Sequence, residues 1–409
     1  MRRTEALLAA LAFAALCVAV LTVTAQTAEP DDGAYHHSIV AITSGHMLTL
    51  SARQLYAVEA KMHDPAIGQP PGQWIEVAHN RYISEKDPGY PYLAAPFQEL
   101  GIIRLAPLFY GLLACLGLFA GARRWLGCFG GATAVGLYCS SGSALSFAWR
   151  DYMPTFTDAS LVAAGSGALL WSLLATDATP RRRLWFGLGG FAALELATFA
   201  RYTNIVILGC AVVAVVAAAW SGAVPRRMLG WWLTTVVVFA AGVGTFDDVV
   251  YGGPLTTGYA RGEVKFSLGA IGTNLRVMPR HLLESMPMLV LGVAAVACIV
   301  ARAAARREHS DARRDLWVGL AVGGSWLSIW GLYSAYTWTT DLTNYPISDV
   351  RFYVPALGAI ALLGAWLITR IPGTAVRAGV SVTVTASLFV LGVWSFHAMY
   401  AEFGVPLHG

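Results

Sequence analysis

The chain predicts an all-α integral membrane fold, a polytopic bundle of about eleven transmembrane helices. Three observations predict it. Of the 409 residues, 56% are hydrophobic and only 13% are charged, where a soluble domain carries roughly 25%. The apolar residues fall in continuous runs close to the ~20 that a helix needs to cross a bilayer, without the alternation that a membrane β-barrel requires. The polar connections also differ in charge from one to the next along the chain.

The runs cover about 5–25, 102–121, 126–146, 159–176, 184–200, 204–220, 229–246, 287–304, 316–337, 354–370 and 378–396. With Arg2 and Arg3 on the cytoplasmic side, the other inner connections are Arg123-Arg124, Arg181 to Arg183, Arg226-Arg227, Arg302 to Arg314 and Arg370 to Arg377, and each is basic. Asp31, Asp32, Asp87, Asp151, Asp158, Asp247, Asp248, Asp341 and Asp349 then face outward. Both signals give a plasma-membrane protein with a cytoplasmic N-terminus and an extracytoplasmic site. The first run also reads as a cleaved signal peptide ending near Val23-Thr24-Ala25, but its apolar core is longer than a signal sequence needs, which favours a retained helix.

Residues 1–409 read as one integral membrane domain, with no internal repeat. Three outer segments are long enough to build a site: 26–101, 247–286 and 338–354. The first holds an amphipathic helix expected from His36 to Lys61, a turn-rich stretch from Pro65 to Gly72, and five histidines (His36, His37, His46, His63, His79) whose spacing matches no metal-ligand pattern. All six cysteines lie within the predicted helices, which argues against a disulfide framework and for small core residues. The net charge of +4 follows from the inner connections and implies no nucleic-acid partner.

Asp31-Asp32 is the leading site candidate. Adjacent carboxylates beside a membrane repel unless a positive group shares the site, and such a pair suits a general base with a second acid holding a metal or a sugar hydroxyl. The plainer alternative is a helix N-cap. Around the pair, Tyr35 and His36 follow in Asp31-Asp32-Gly33-Ala34-Tyr35-His36, and Glu85-Lys86-Asp87-Pro88-Gly89-Tyr90 precedes the second run. Lys86 suits a lipid phosphate or simple snorkelling.

Trp149-Arg150-Asp151-Tyr152 leads to Asp158, for which a helix cap is the plainer role. Arg201-Tyr202-Thr203-Asn204 puts an arginine in a short outer turn, where it calls for a partner anion. Tyr251 to Tyr259 is a Gly- and Pro-rich loop suited to a sugar or phosphate, or to plain re-entry. Arg351 in Asp349-Val350-Arg351-Phe352-Tyr353 suits a bidentate phosphate contact or a salt bridge to Asp349. Nucleotide-binding, HExxH and GxSxG patterns are absent from suitable contexts.

In this order, these elements resemble the GT-C superfamily of integral membrane glycosyltransferases over nearly the whole chain. Asp31-Asp32 resembles that family's catalytic acids in the first outer loop. Glu85 to Tyr90 resembles the Lys-Pro-Pro segment of aminoarabinose and related mannosyl and arabinofuranosyl transferases, where the lysine contacts the lipid phosphate. Asp87 departs from it, standing where many relatives have the first proline.

The resemblance implies transfer of one sugar from a polyprenyl-phosphate donor to a glycan or lipid acceptor, with inversion. It implies Asp31 or Asp32 as the base, Asp32 slightly preferred. It also implies a substrate cleft drawn from Tyr35, His36, Lys86, Tyr90, Arg150, Asp151, Asp158, Arg201, Tyr259 and Arg351. No cofactor is certain, and a divalent cation, if used, falls to Asp32 and Asp158. The competing class is a transporter or flippase of lipid-linked or anionic solutes, which calls for ionisable residues across the membrane where Glu195 is the one deep carboxylate.

Overall fold

The computed structural model describes residues 2–23, 30–62, 73–261, 265–305, 309–340 and 349–403. The expected turn from Pro65 to Gly72, His63, Asp341 and the cleavage region at Thr24-Ala25 lie outside these residues. The fold is helical throughout apart from one small sheet: α1 (Arg2–Leu21), α2 (Pro30–Thr43), α3 (Ala52–Glu59), α4 (Gly89–Glu99), α5 (Ala106–Cys139), α6 (Gly142–Ala148), α7 (Pro154–Leu174), α8 (Pro180–Ala200), α9 (Ile205–Trp220), α10 (Arg226–Tyr251), α11 (Ile271–Ser285), α12 (Leu289–Ala305), α13 (Ser310–Ser334), α14 (Leu357–Thr369) and α15 (Thr374–Phe403).

Among the described residues, seven helices are long and apolar enough to cross a membrane, or eight if α11 and α12, bent by 108°, count as one broken span. The expected count of eleven is not reproduced. One reason is that the runs 102–121 and 126–146 fall within α5, which doubles back at Gly127 (φ +81°). The Cys115 and Cys139 sulfurs are 3.5 Å apart, although on a straight helix they would be separated by about 36 Å. α5 is therefore two antiparallel arms with Arg123-Arg124 at their tip, which is where an inner connection is expected. Two further runs fall short individually: α14 has only 13 residues, and α8 carries three arginines and Glu195.

The basic connections gather at one end of the helices. Arg124 meets Asp177 at 2.7 Å and lies over the Trp171 ring, as does Arg182. Asp315 accepts from Trp125 Nε1 at 3.0 Å and from Arg370 at 2.6 Å. The start of α7, the end of α8 and the turns before α14 lie at the other end, where the candidate site forms.

The first outer loop differs from expectation. The helix expected from His36 to Lys61 is two helices, α2 and α3, separated by β1 (Thr49–Leu50). β1 joins β2 (Trp74–Ala78) and β3 (Arg81–Ser84) in an antiparallel sheet of order β1-β3-β2. Ser51 caps α3 with a reciprocal box to Gln54. Val40, Leu48, Leu50, Leu55, Val58 and Trp74 bury a small separate core that packs against Val250. The loop is thus a folded cap seated on the bundle. α10 also runs on to Tyr251, so Asp247 is helical rather than the first residue of an outer loop.

Candidate active site

α2 starts at Pro30, so Asp31 and Asp32 both lie in its first turn, where backbone N–H groups and the helix dipole favour negative charge. Successive residues on a helix point about 100° apart, and here that separates two neighbours into different environments. Asp32 points inward: Arg150 Nε and Nη2 donate to its two oxygens at 3.3 and 2.7 Å, and neither side chain is exposed. Asp31 faces a cleft. Lys86 Nζ lies 2.8 Å away, Arg351 Nη2 lies 3.3 Å away, and Gln73 Nε2 donates at 2.8 Å. Burial pushes the Asp31 carboxyl up, but Lys86 and then Arg351 outweigh it and hold the group well below the usual carboxylate range.

The positive groups that the acidic pair calls for are thus divided: Lys86 and Arg351 lie against Asp31, and Arg150 lies against Asp32. Arg201 pairs with Asp158 at 2.8 Å, donates to Thr155 Oγ1 at 3.0 Å and donates to the Arg351 carbonyl at 3.2 Å. Asp158 also accepts from the Ala159 N–H at 2.7 Å and from Asn204 Nδ2 at 3.3 Å, so it binds a side-chain network as well as its own helix. The Phe352 ring lies 5.9 Å from the Arg201 guanidinium and 4.8 Å from that of Arg351, and so braces both cations.

The other candidates divide between the cleft and its supports. Tyr259 lies under Lys86, with the ammonium 5.5 Å from the ring centroid. Its neighbour Gly258 allows that approach, because a Cβ there would sit 2.3 Å from the Ser84 carbonyl oxygen. Tyr35 packs edge-on against Tyr90, whose hydroxyl donates to the Asp151 carbonyl. His36 stacks on Tyr152 at 3.9 Å. The Asp151 side chain is buried, with Arg104 at 3.8 Å; burial raises it to about 7, and Arg104 pulls the other way. Tyr90, Arg150 and Asp151 are thus supports behind the cleft.

Three contributors escaped the sequence reading as site residues. Gln73 holds Asp31 from a left-handed backbone (φ +71°), a strained geometry for a residue with a side chain. Thr155 anchors Arg201. Asp87, read as an outward-facing acid and as a departure from a motif, is buried with a hydrogen bond from the Tyr202 amide. Of the three, Asp87 alone carried a signal, as an acid immediately after the interfacial Lys86.

A divalent cation finds no ready ligand set. No three His, Cys, Asp or Glu side chains converge among the described residues, and Asp32 and Asp158 are each held by an arginine. An apolar groove of about 690 Å³ runs between α7, α9, α13 and α14. Val206 and Ile207 line it just beyond Asn204, and Leu169, Val213, Trp317 and Leu320 continue it through the bundle.

Helical arms around a folded first loop, with basic connections at one end and the candidate site at the other, make a GT-C-like membrane fold. Among solved structures the chain is similar to ArnT from Cupriavidus metallidurans bound to undecaprenyl phosphate, with a TM-score of 0.58 and 16% identity over 94% of this chain. It spans 63% of the length of that ArnT chain. The apo state of the same ArnT matches with a TM-score of 0.58 over 97% of this chain and 75% of its own. The apo Archaeoglobus fulgidus oligosaccharyltransferase matches with a TM-score of 0.52 and 11% identity, over 97% of this chain and 56% of its own. No protein-family model and no curated protein sequence matches the chain.

Proposed function

We propose that the protein transfers a single sugar from a polyprenyl-phosphate donor to an acceptor hydroxyl on the extracytoplasmic face of the plasma membrane, inverting the anomeric centre. The observation that carries this reading is the convergence of Lys86 and Arg351 on one carboxylate, Asp31. Two cations meeting one anion suit a phosphate head, and the apolar groove that starts at Val206, close in sequence to Asn204 and Arg201, suits a hydrocarbon tail. The likeness to ArnT bound to undecaprenyl phosphate supports a lipid-phosphate donor for a fold of this kind.

In this reading the donor phosphate competes with Asp31 for Lys86 and Arg351. Once those cations turn to the phosphate, Asp31 loses the charges that keep its proton affinity low and becomes an effective base. Asp31 takes the proton of the acceptor hydroxyl, and the acceptor oxygen bonds to the anomeric carbon. The bond from that carbon to the phosphate oxygen breaks, and polyprenyl phosphate departs with the electron pair, its charge met by Lys86 and Arg351. Asp32, locked by Arg150 and without exposure, is the less suitable base, so the preference reverses towards Asp31.

The test is transfer from a labelled undecaprenyl-phosphate sugar in membranes containing wild type, Asp31→Asn or Asp32→Asn. Full activity in Asp31→Asn, or no transfer by wild type with any lipid-phosphate donor, removes the reading.

A further inference from the structure

Asp87 differs from Asp31 and Asp158, each of which lies against a cation. It follows Lys86 directly, in the turn that opens α4, and Gly89 pins that turn. A Cβ at Gly89 would lie 2.3 Å from the Phe199 carbonyl carbon and 2.5 Å from the Ala200 nitrogen, so only glycine lets α4 sit this close to the end of α8. The packing drives Asp87 against the next turn of chain, where the Tyr202 amide hydrogen-bonds to its carboxylate. The side chain is buried in the cleft wall.

The groups facing it come from six parts of the fold. Lys86 precedes it in the chain, Tyr35 comes from α2 and Asp158 from α7. Arg201 and Tyr202 follow α8, Tyr251 and Tyr259 come from the end of α10 and the loop beyond it, and Tyr333 comes from α13. The nearby cations are all engaged by other acids. Lys86 and Arg351 lie against Asp31, and Arg201 lies against Asp158. Among the described residues Asp87 has no ion pair, and its one hydrogen-bond partner is a neutral amide.

This arrangement has a consequence for any anion that enters. Three carboxylates, Asp31, Asp87 and Asp158, already face Lys86, Arg201 and Arg351, and Asp349 adds a further acid on the turn carrying Arg351. A phosphate brings another negative charge into a low-dielectric cleft, where like charges raise one another's proton affinity. The proton goes to the carboxylate with the weakest cationic support. Burial already raises Asp87 to about 7, while Arg201 and Lys86 pull it down. A phosphate that draws Lys86 towards itself weakens that pull and raises Asp87 further.

We propose that Asp87 takes up a proton from solvent when the cleft binds a singly charged lipid phosphodiester, so that donor binding and protonation of this carboxylate are coupled. The inference rests on the donor reading above and adds to it a residue that sets which ligand charge the cleft accepts. Its sign follows from linkage. The ligand-bound form holds the proton more tightly than the free form, so affinity is greatest below about pH 7 and falls as pH rises, by up to about tenfold per unit.

The test uses the full chain in nanodiscs and the methyl ester of undecaprenyl phosphate, a singly charged lipid diester. Calorimetric titration near pH 7.5 in buffers of different ionisation enthalpy counts protons taken up on binding. Wild type is expected to take up a substantial fraction of one proton and to bind about tenfold more weakly per pH unit above 7. Asp87→Asn is expected to take up none and to bind independently of pH, whereas Asp87→Glu keeps the dependence. Tight binding by wild type without proton uptake, or equal uptake by Asp87→Asn, overturns the inference and leaves the donor reading standing. Absence of diester binding at every pH overturns both. The wild-type proton count decides the matter even if Asp87→Asn does not fold.

Discussion

Arg150 grips both oxygens of Asp32, at 3.3 and 2.7 Å, with neither side chain exposed. Removing one member leaves a charge buried without its main partner, which costs about 3–5 kcal/mol, while replacing both with apolar groups of similar volume is close to neutral. Asp32→Asn and Arg150→Met should therefore each lower the melting temperature sharply in detergent, and the double variant Asp32→Leu/Arg150→Met should recover much of the loss. If the double variant is as unstable as the singles, the pair is not acting as a buried ionic brace.

Asp31→Asn should also cost stability, because it leaves the buried Lys86 and Arg351 without the carboxylate they share. Loss of the proposed base should cut transfer per folded molecule further, by roughly 10²–10⁴-fold. A variant that loses activity only in proportion to folded protein would place Asp31 among the structural residues.

Lys86→Ala and Arg351→Ala should each weaken lipid-phosphate binding by about tenfold to a hundredfold, as expected for loss of one charge-assisted bond of ~1.5–3 kcal/mol. Arg351→Lys should not restore full affinity, because an ammonium cannot reproduce the planar fork that also packs on Phe352. Binding measured with undecaprenyl phosphate separates these outcomes from any effect on turnover.

Stability should depend on pH through two acids of opposite sign. Asp31 is held low in the folded protein, so its contribution is present above its unfolded value near 3.8 and is lost as pH falls below that. Asp87 is raised to about 7, so the folded state keeps a proton that the unfolded chain releases, and stability declines as pH rises from 3.8 towards 7. Asp87→Asn should consequently melt higher than wild type at pH 8, with the gap narrowing towards pH 4. An unchanged gap across that range would show that Asp87 titrates normally.

Gly89→Ala should destabilise the protein by about 1–3 kcal/mol through overpacking, since its Cβ would strike backbone atoms of Phe199 and Ala200 that have little freedom to move. The displaced α4 carries the Lys86 turn with it, so lipid-phosphate affinity should fall as well. Retention of both melting temperature and affinity would mean that α4 can shift without disturbing the cleft.

The membrane class was legible because apolar runs record burial in lipid residue by residue. Even the reversal at Gly127 was visible, as Arg123-Arg124 between two apolar stretches. The span count was less secure because α8 and α14 lie among other helices, where burial in protein permits Glu195 in one and only 13 residues in the other. The small sheet went unseen because β1 is two residues long and its pairing with Ile83 and Tyr82 is set by tertiary contact. Within the site, Lys86 and Arg351 were identifiable as exposed-face cations, but the division of Asp31 from Asp32 was not. It depends on which way each points from α2 and on partners supplied by distant helices.

Arg351 is the last member of the Asp31, Lys86 and Arg201 cluster to be synthesised, and it reaches Asp31 from beyond α13. A chain still emerging from the ribosome therefore carries Lys86 well before the second cation that meets Asp31 has been made. The order of translation thus leaves this three-residue contact incomplete until only α14 and α15 remain of the described helices.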